Sequence, residues 1–286
     1  MTDHLTAPLE PKDRAAAGNV ADLLEGRAPI GVAFSGGVDS SVLLALAARS
    51  LGRDRVLALL GVSPSLPAEE HSAAHGVADF LGVRLIEVET HEGQREAYVR
   101  NGPDRCFHCR DELFTRIADD VVEQHGLLAV AYGENADDAE RSDRPGSLAA
   151  TAHEILRPLA DAGIGKEQVR RIARTLALPS ADRPAAPCLA SRVPHFEAVL
   201  PEKLRQIEQA EAALRDLGFV ELRVRHHGEV ARIELPPDDL ASAVREPVRT
   251  QIEQAVIGAG FRFVAVDLTG IRSGAFTLPL VEVSSG

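Results

Sequence analysis

The 286-residue sequence predicts an α/β protein: a doubly wound parallel sheet followed by a smaller C-terminal α+β domain. Three observations carry that expectation. Short apolar runs at residues 30–34, 56–62, 83–88 and 127–132 alternate with helical patterns, the order expected of parallel strands joined by crossover helices. The first run breaks at Ser35-Gly36-Gly37, and a second apolar run starts at Val42, so a buried strand turns sharply into a helix. After Pro194 the pattern changes to helix, hairpin, helix and strand, which divides the chain into domains at 1–185 and 186–286.

Each element has its own warrant. Residues 15–25 form a helical pattern with Ala16, Val20, Leu23 and Leu24 on one face. The helix after the glycine turn runs through Arg49 and stops at Gly52, and residues 69–81 form the next helix. Residues 142–146 (SDRPG) are a loop, and residues 166–178 are a helix with Val169, Ile172, Ala173 and Leu176 inward. In the second domain, residues 200–217 are an amphipathic helix with Pro201 in its first turn and Gly218 as its stop. Residues 219–225 and 230–235 alternate around His226-His227-Gly228-Glu229 as a hairpin. Residues 238–259 are helical with an interruption near Pro247, and residues 261–268 close the domain as a strand.

Composition narrows the function. Lys and Arg number 31 against 43 Asp and Glu, a formal charge of −12. An enzyme acting on tRNA needs a positive surface for backbone phosphates, so the charge argues against nucleic acid as a partner. No apolar run reaches the length of a membrane span, and residues 1–13 lack the pattern of a signal peptide, so the expected setting is cytoplasmic with no membrane partner. The three cysteines, an odd number, do not suit a disulfide framework.

The chemistry concentrates in a few stretches. Ser35, Gly36, Gly37, Asp39, Ser40 and Ser41 stand at a helix start, where free N–H groups and the helix dipole favour an anion. Gly163-Ile164-Gly165-Lys166 lacks the spacing of a Walker A loop. Asp137 and Asp138 follow a strand end, where they suit either a magnesium ion or an ordinary turn. Cys106 and Cys109 form a CxxC pair near a helix start, open to metal or cluster binding, redox exchange or simple burial. Cys188 follows a proline in a loop with Arg192 close by, and a guanidinium favours the reactive thiolate. Arg223 and Arg225 alternate onto one strand face, where guanidinium forks suit phosphate or carboxylate.

The SGGVDS block resembles the PP-loop of ATP pyrophosphatases, which implies cleavage of ATP to AMP and pyrophosphate during adenylation of a carbonyl-type oxygen. Taken with SPSLPAEE (63–70), RCFHC (105–109), GENADD (133–138), DRPG (143–146), PCLASR (187–192), RVRHHGEVARIE (223–234) and RSG (272–274), it resembles the LarE family of sulfur transferases over nearly the whole chain. Arg110 stands where a lysine is common in that family, and the tail after Gly274 departs from its usual residues.

The resemblance implies a pyridinium-3,5-biscarboxylic acid mononucleotide as small-molecule substrate, ATP as co-substrate, and conversion of each carboxylate to a thiocarboxylate. It implies Lys166 near the ATP phosphates, magnesium at Asp39 and Asp138, and substrate contacts from Ser191, Arg192, Glu211, Arg223 and Arg225. Sulfur comes either sacrificially from Cys188 or through a [4Fe-4S] cluster held by Cys106, Cys109 and Cys188. Zinc on the three cysteines with His108 or another histidine competes with the cluster. A homo-oligomer, a hexamer, is implied as well. The rival classes are an amide synthetase of the NAD- or GMP-synthetase kind and a non-catalytic nucleotide-binding cluster scaffold.

Overall fold

A computed structural model of the chain describes residues 4–140 and 145–271. By its internal contacts the chain divides into two compact units. One holds the residues up to Glu92 together with Cys106–Ala186; the other holds Gly93–Arg105 together with the residues from Pro187 onward. From the sequence a single cut between 185 and 186 is expected, without the excursion at 93–105.

The first unit is built on a four-stranded sheet. Its strands are β1 (Ile30–Ala33), β2 (Val56–Val62), β3 (Arg84–Glu89) and β4 (Ala129–Tyr132), in the order β3-β2-β1-β4. All three pairings are parallel, with Ile30 opposite both Val56 and Ala129. Parallel neighbours need long crossovers, and the helices α1 (Pro11–Leu24), α2 (Val38–Leu51), α3 (Ala68–Leu81), α4 (Arg105–Arg116), α5 (Pro145–Ala152) and α6 (Lys166–Thr175) include them.

Alternation along β2 shows why helices cover both faces. Val56, Ala58 and Leu60 enter one core with Val20, Val42, Leu46 and Ile172. Leu57 and Leu59 enter the other with Phe114, Ile117, Val121, Ala149 and Ala150. A strand with both faces buried reads as a continuous apolar run; VLALL (56–60) is such a run. The doubly wound parallel sheet expected from the sequence is thus present. Pro145 and Gly146 open α5 where a loop is expected, the rest of that loop (142–144) lying outside the described residues, as does 272–274.

In the second unit, α7 (Pro201–Asp216) buries Leu204, Ile207, Ala210 and Leu214, a helical stripe. Strands β5 (Arg223–His227), β6 (Val230–Glu234) and β7 (Phe263–Val266) form a three-stranded sheet in that order. The first pair is antiparallel and the second parallel, and α8 (Pro237–Ala243) and α9 (Val248–Gly258) fill the crossover. The hairpin turn is shorter than expected. His226 and His227 pair with Ala231 and Val230, and His226 is buried against Gln206 at 3.1 Å, so β5 continues to the Gly228-Glu229 turn. Among the described residues no helix is long and apolar enough to cross a membrane.

One buried ion pair ties α1 to α6. Asp13, wholly buried, accepts hydrogen bonds from Arg171 at 2.8 and 2.6 Å and from Gln168 at 3.0 Å. The Arg171 bonds, supported by Gln168, hold the Asp13 carboxyl below its ordinary pKa against the opposing effect of burial. A depressed carboxylate adds stability that is present above the unfolded pKa of about 3.9 and is lost as pH falls through the folded value. Urea unfolding should show Asp13→Asn destabilised by about 3 kcal/mol at neutral pH. The difference from the natural chain should shrink as the pH is stepped down below about 4.

Candidate active site

The first unit places the glycine turn at the carboxyl end of the central strand. Phe34 N–H still donates to Leu59 O at 2.8 Å, so the strand pairing persists up to Ser35. Gly36 then takes φ +74°, and Gly37 precedes α2 without a side-chain cap. The first N–H groups of α2 therefore have no acceptor in their own helix. Ser41, wholly buried, turns its hydroxyl to the carbonyls of Gly37 (2.8 Å) and Gly36 (3.2 Å), and Ser40 Oγ donates to Gly37 O at 3.1 Å. These hydroxyls brace the loop from inside, Ser35 N–H donates to Ser40 Oγ at 3.3 Å and Gly37 N–H to Ser35 Oγ at 3.4 Å, and the amides of the first turn of α2 are the groups left to meet an anion.

Two neighbouring backbones fix this turn. A Cβ on Gly36 would lie 2.9 Å from Ala74 Cα on α3. A Cβ on Gly133, just after β4, would lie 2.6 Å from Ser40 N. Glycine is required at both positions, for the left-handed φ at Gly36 and for the close approach at Gly133.

Polar side chains gather beside the turn. Lys166 Nζ, at the head of α6, bonds Asp39, and Lys166 N–H donates to Asp137 Oδ2 at 2.7 Å. The buried Asn135 amide donates to Asp39 Oδ1 at 3.0 Å and to Asp138 Oδ2 at 2.9 Å, and its carbonyl accepts from Asp138 N at 3.0 Å. The structure thus joins Asp39, Asp138 and Lys166 in one network, far apart though they are in sequence. Asn135, which links two of the carboxylates, was not singled out from the sequence.

Two further buried carboxylates escaped sequence reasoning. Glu92 Oε1 accepts from Ser63 at 2.5 Å and Ser65 at 3.1 Å, so it orders the segment after β2. Glu134 accepts from Ser147 and lies 3.5 Å from Arg157. Burial, and then the nearby Glu134 carboxylate, raise the Tyr132 pKa. No local sequence pattern marks such long-range partners.

The second unit builds the Cys188 loop from arginines. Cys188 precedes a short helical turn, Leu189–Arg192. Arg192 is buried and donates to Pro187 O (2.5 Å), Cys188 O (3.2 Å), Ser191 Oγ (3.0 Å) and both oxygens of Glu211 (2.9 and 3.1 Å). Glu211 also accepts from Val224 N at 3.0 Å and Arg215 at 3.3 Å. Arg225 donates to Ser191 O at 2.8 Å and to Glu234 at 2.8 Å. Arg192 and Glu211 therefore hold the loop's shape. Burial first, and then the like charges of Arg225 and Arg192, lower the Arg223 pKa. Three guanidiniums so close to one another suit an anion.

Residues 93–105 contribute to the same loop, which sequence reasoning did not foresee. Arg105 donates to Ala190 O at 2.8 Å and to Asn101 Oδ1 at 2.6 Å. Asn101 Nδ2 reaches the carbonyls of Val193, Pro194 and Glu197 at 3.3, 2.7 and 3.1 Å. None of the three cysteines is in a disulfide; Cys106 is exposed, and Cys109 and Cys188 are half-buried. Cys106 and Cys109 lie in α4 at i and i+3, on one side of the helix.

A central parallel strand, a double-glycine turn, open helix amides and a lysine–carboxylate network beside them define a PP-loop domain that uses ATP. Residues 14–121 match the asparagine synthase family. The chain is 39% identical over 256 residues to the uncharacterized protein slr1717 of Synechocystis sp., covering 88% of this chain and 92% of the relative. It is 32% identical over 244 residues to the pyridinium-3,5-bisthiocarboxylic acid mononucleotide synthase of Lactiplantibacillus plantarum, covering 85% and 87%. An NH3-dependent NAD+ synthetase of Chlorobaculum parvum aligns at 31% over 151 residues, about half of each chain (51% and 52%). The chain belongs to the LarE family, to which that L. plantarum synthase also belongs.

Glu211 is the point at which the Cys188 loop is most exposed to damage. Glu211→Ala leaves the buried Arg192 without its counter-charge and should destabilise the second unit by about 3–5 kcal/mol. Glu211→Gln keeps part of the hydrogen bonding and should cost less. Chemical unfolding followed by a probe placed in the second unit checks both.

Proposed function

We propose that this chain is an ATP-dependent sulfurtransferase that adenylates the carboxylates of pyridinium-3,5-biscarboxylic acid mononucleotide and converts them to thiocarboxylates. The observation that carries this reading is the occurrence in one LarE-family chain of an open PP-loop and an arginine-braced loop headed by the free thiol of Cys188. The ATP phosphates meet the amides between Gly36 and Ser40, with Lys166 beside them. Asp39 and Asp138, whose oxygens suit a hard cation, would hold a magnesium ion, which would supply charge neutralisation for the phosphates.

A substrate carboxylate oxygen attacks the α-phosphorus, and the bond to the β-phosphate oxygen breaks, giving the acyl-adenylate and pyrophosphate. A sulfur nucleophile then attacks the acyl carbon and AMP leaves. Arg223 and Arg225 receive the anionic groups of the mononucleotide, while Arg192, Ser191 and Glu211 keep the Cys188 loop in place. The working form is a cytoplasmic homo-oligomer, a hexamer.

Two readings of the sulfur source rest on the cysteines. Their donor set fits a [4Fe-4S] cluster: three cysteines outside any disulfide, none of them buried, two of them one helical turn apart. When bound, such a cluster would supply sulfide as the nucleophile and spare Cys188 Sγ, so that the protein turns over repeatedly. A second reading rests on the Cys188 loop alone, which Arg192 and Glu211 hold in place. In it, the Cys188 thiolate displaces AMP to form a thioester. Loss of the Cys188 α-proton and cleavage of its Cβ–Sγ bond then release the thiocarboxylate and leave dehydroalanine.

Anaerobic purification should yield about four iron and four acid-labile sulfide per chain, and Cys188 should survive repeated turnover by mass spectrometry. Iron-free protein that loses the mass of hydrogen sulfide at Cys188 after one turnover would establish the sacrificial route instead. Cys188→Ala should abolish thiocarboxylate formation while AMP is still formed from ATP and the pyridinium substrate. An amide synthetase of the NAD-synthetase kind needs no cysteine and would keep its full activity in that variant. Lys166→Met should lower the rate of AMP formation by about 10²-fold, the scale of removing one charge aimed at a reacting group, with the melting temperature nearly unchanged.

A further inference from the structure

Away from the PP-loop network, three metal-ligating side chains converge on the outer part of the sheet. His71 and His75 stand at i and i+4 on α3, one turn apart on one face. Glu87 projects from β3, the edge strand of the sheet. One oxygen, Glu87 Oε1, lies 2.7 Å from His71 Nε2 and 2.8 Å from His75 Nε2. All three ligand atoms lie within 4.8 Å of one another, and the two rings are 4.7 Å apart between centroids. Nothing in the proposed sulfur-transfer chemistry uses these residues.

We propose that His71, His75 and Glu87 form a binding site for a divalent transition-metal ion of the zinc type. Two neutral imidazoles and a carboxylate are a donor set that zinc uses with a water in the fourth position. A tetrahedral site with metal–ligand bonds near 2.0–2.1 Å separates its ligand atoms by about 3.3 Å. The two Glu87–histidine spacings need to open by only about 0.5 Å to reach that value, and the side chains are 36%, 39% and 45% exposed, so they have room to move. Their exposure also leaves the remaining coordination position open to water. A seated cation replaces the two ring protons that Glu87 now accepts, and it bonds helix α3 to strand β3. Magnesium, which prefers a shell of oxygens, is a poor occupant.

The site lies next to a contact that matters elsewhere. Ala74, between the two histidines in sequence, is the residue whose backbone approaches Gly36 of the PP-loop. An ion that pins α3 to β3 therefore braces the helix that backs the nucleotide turn.

The test uses the tag-free full-length chain, because a polyhistidine tag would bind the same ions, and compares zinc uptake with and without the two histidines. Calorimetric titration with zinc chloride after chelator treatment should show one equivalent fewer in His71→Ala/His75→Ala than in the natural chain. The cysteines bind zinc too, so the comparison is repeated in Cys106→Ser/Cys109→Ser/Cys188→Ser, where one equivalent should remain and should vanish with the histidines. Glu87→Gln should weaken binding by at least about tenfold, the least expected when a ligand rather than an outer-shell partner is lost. Cobalt(II) in the cysteine-free variant should give four-coordinate d–d bands without thiolate charge transfer, unaffected by excess magnesium. Equal zinc stoichiometry with and without His71 and His75 would overturn the proposal, and so would the absence of a titratable equivalent in the cysteine-free variant when circular dichroism shows it folded.

Discussion

The amino end of α2 has to lie between two other backbones and still leave its first amides uncovered. Ala74 of α3 approaches from one direction and Gly133, at the end of β4, from another. Both approaches are closer than any Cβ tolerates. The parallel sheet makes this possible, because adjacent parallel strands β1 and β4 end at the same level and deliver their loops together. The serines then turn inward to hold the loop, and among the described residues no side chain caps α2. An anion is the natural partner of such a helix end.

Buried ions are paired wherever they hold elements together. Asp13 with Arg171 joins two helices, Arg192 with Glu211 fixes the Cys188 loop to α7, and Arg225 with Glu234 spans the β5–β6 pair. Such pairs add little net stability over apolar packing, but losing one partner is costly, which makes them devices for fixing geometry. The net charge of −12 therefore coexists with a local group of arginines at Arg192, Arg223 and Arg225, two of them paired with buried glutamates. A basic site for one small anion does not require a basic protein.

Much of the fold was legible because periodicity reports burial. The run at 56–60 is apolar throughout because both faces of β2 are covered, and the glycine pair at 36–37 marks a turn that only glycine makes. The Cys188 loop was legible as a special position but its supports were not. Asn101 and Arg105 reach carbonyls roughly ninety residues away, and nothing in the local pattern around 93–105 announces a partner so distant. The hairpin was misjudged by two residues because histidines resemble turn residues in polarity, whereas His226 is buried against Gln206 and extends the strand. His71 and His75 were hidden among helix-forming neighbours, and their third partner, Glu87, belongs to a different element.

The excursion at Gly93–Arg105 sets the order in which the chain is completed on the ribosome. Asn101 is made 93 residues before Pro194, whose carbonyl it binds. At elongation rates of about 5–20 residues per second, that interval is roughly 5–19 s. During it, the nascent first unit has to carry an unfinished thirteen-residue insertion whose bonds from Asn101 and Arg105 to the carbonyls of residues 190–197 cannot yet form. The second unit is thus completed only from the far end of the message, and a truncated chain ending near Ala186 would present that insertion to chaperones and proteases.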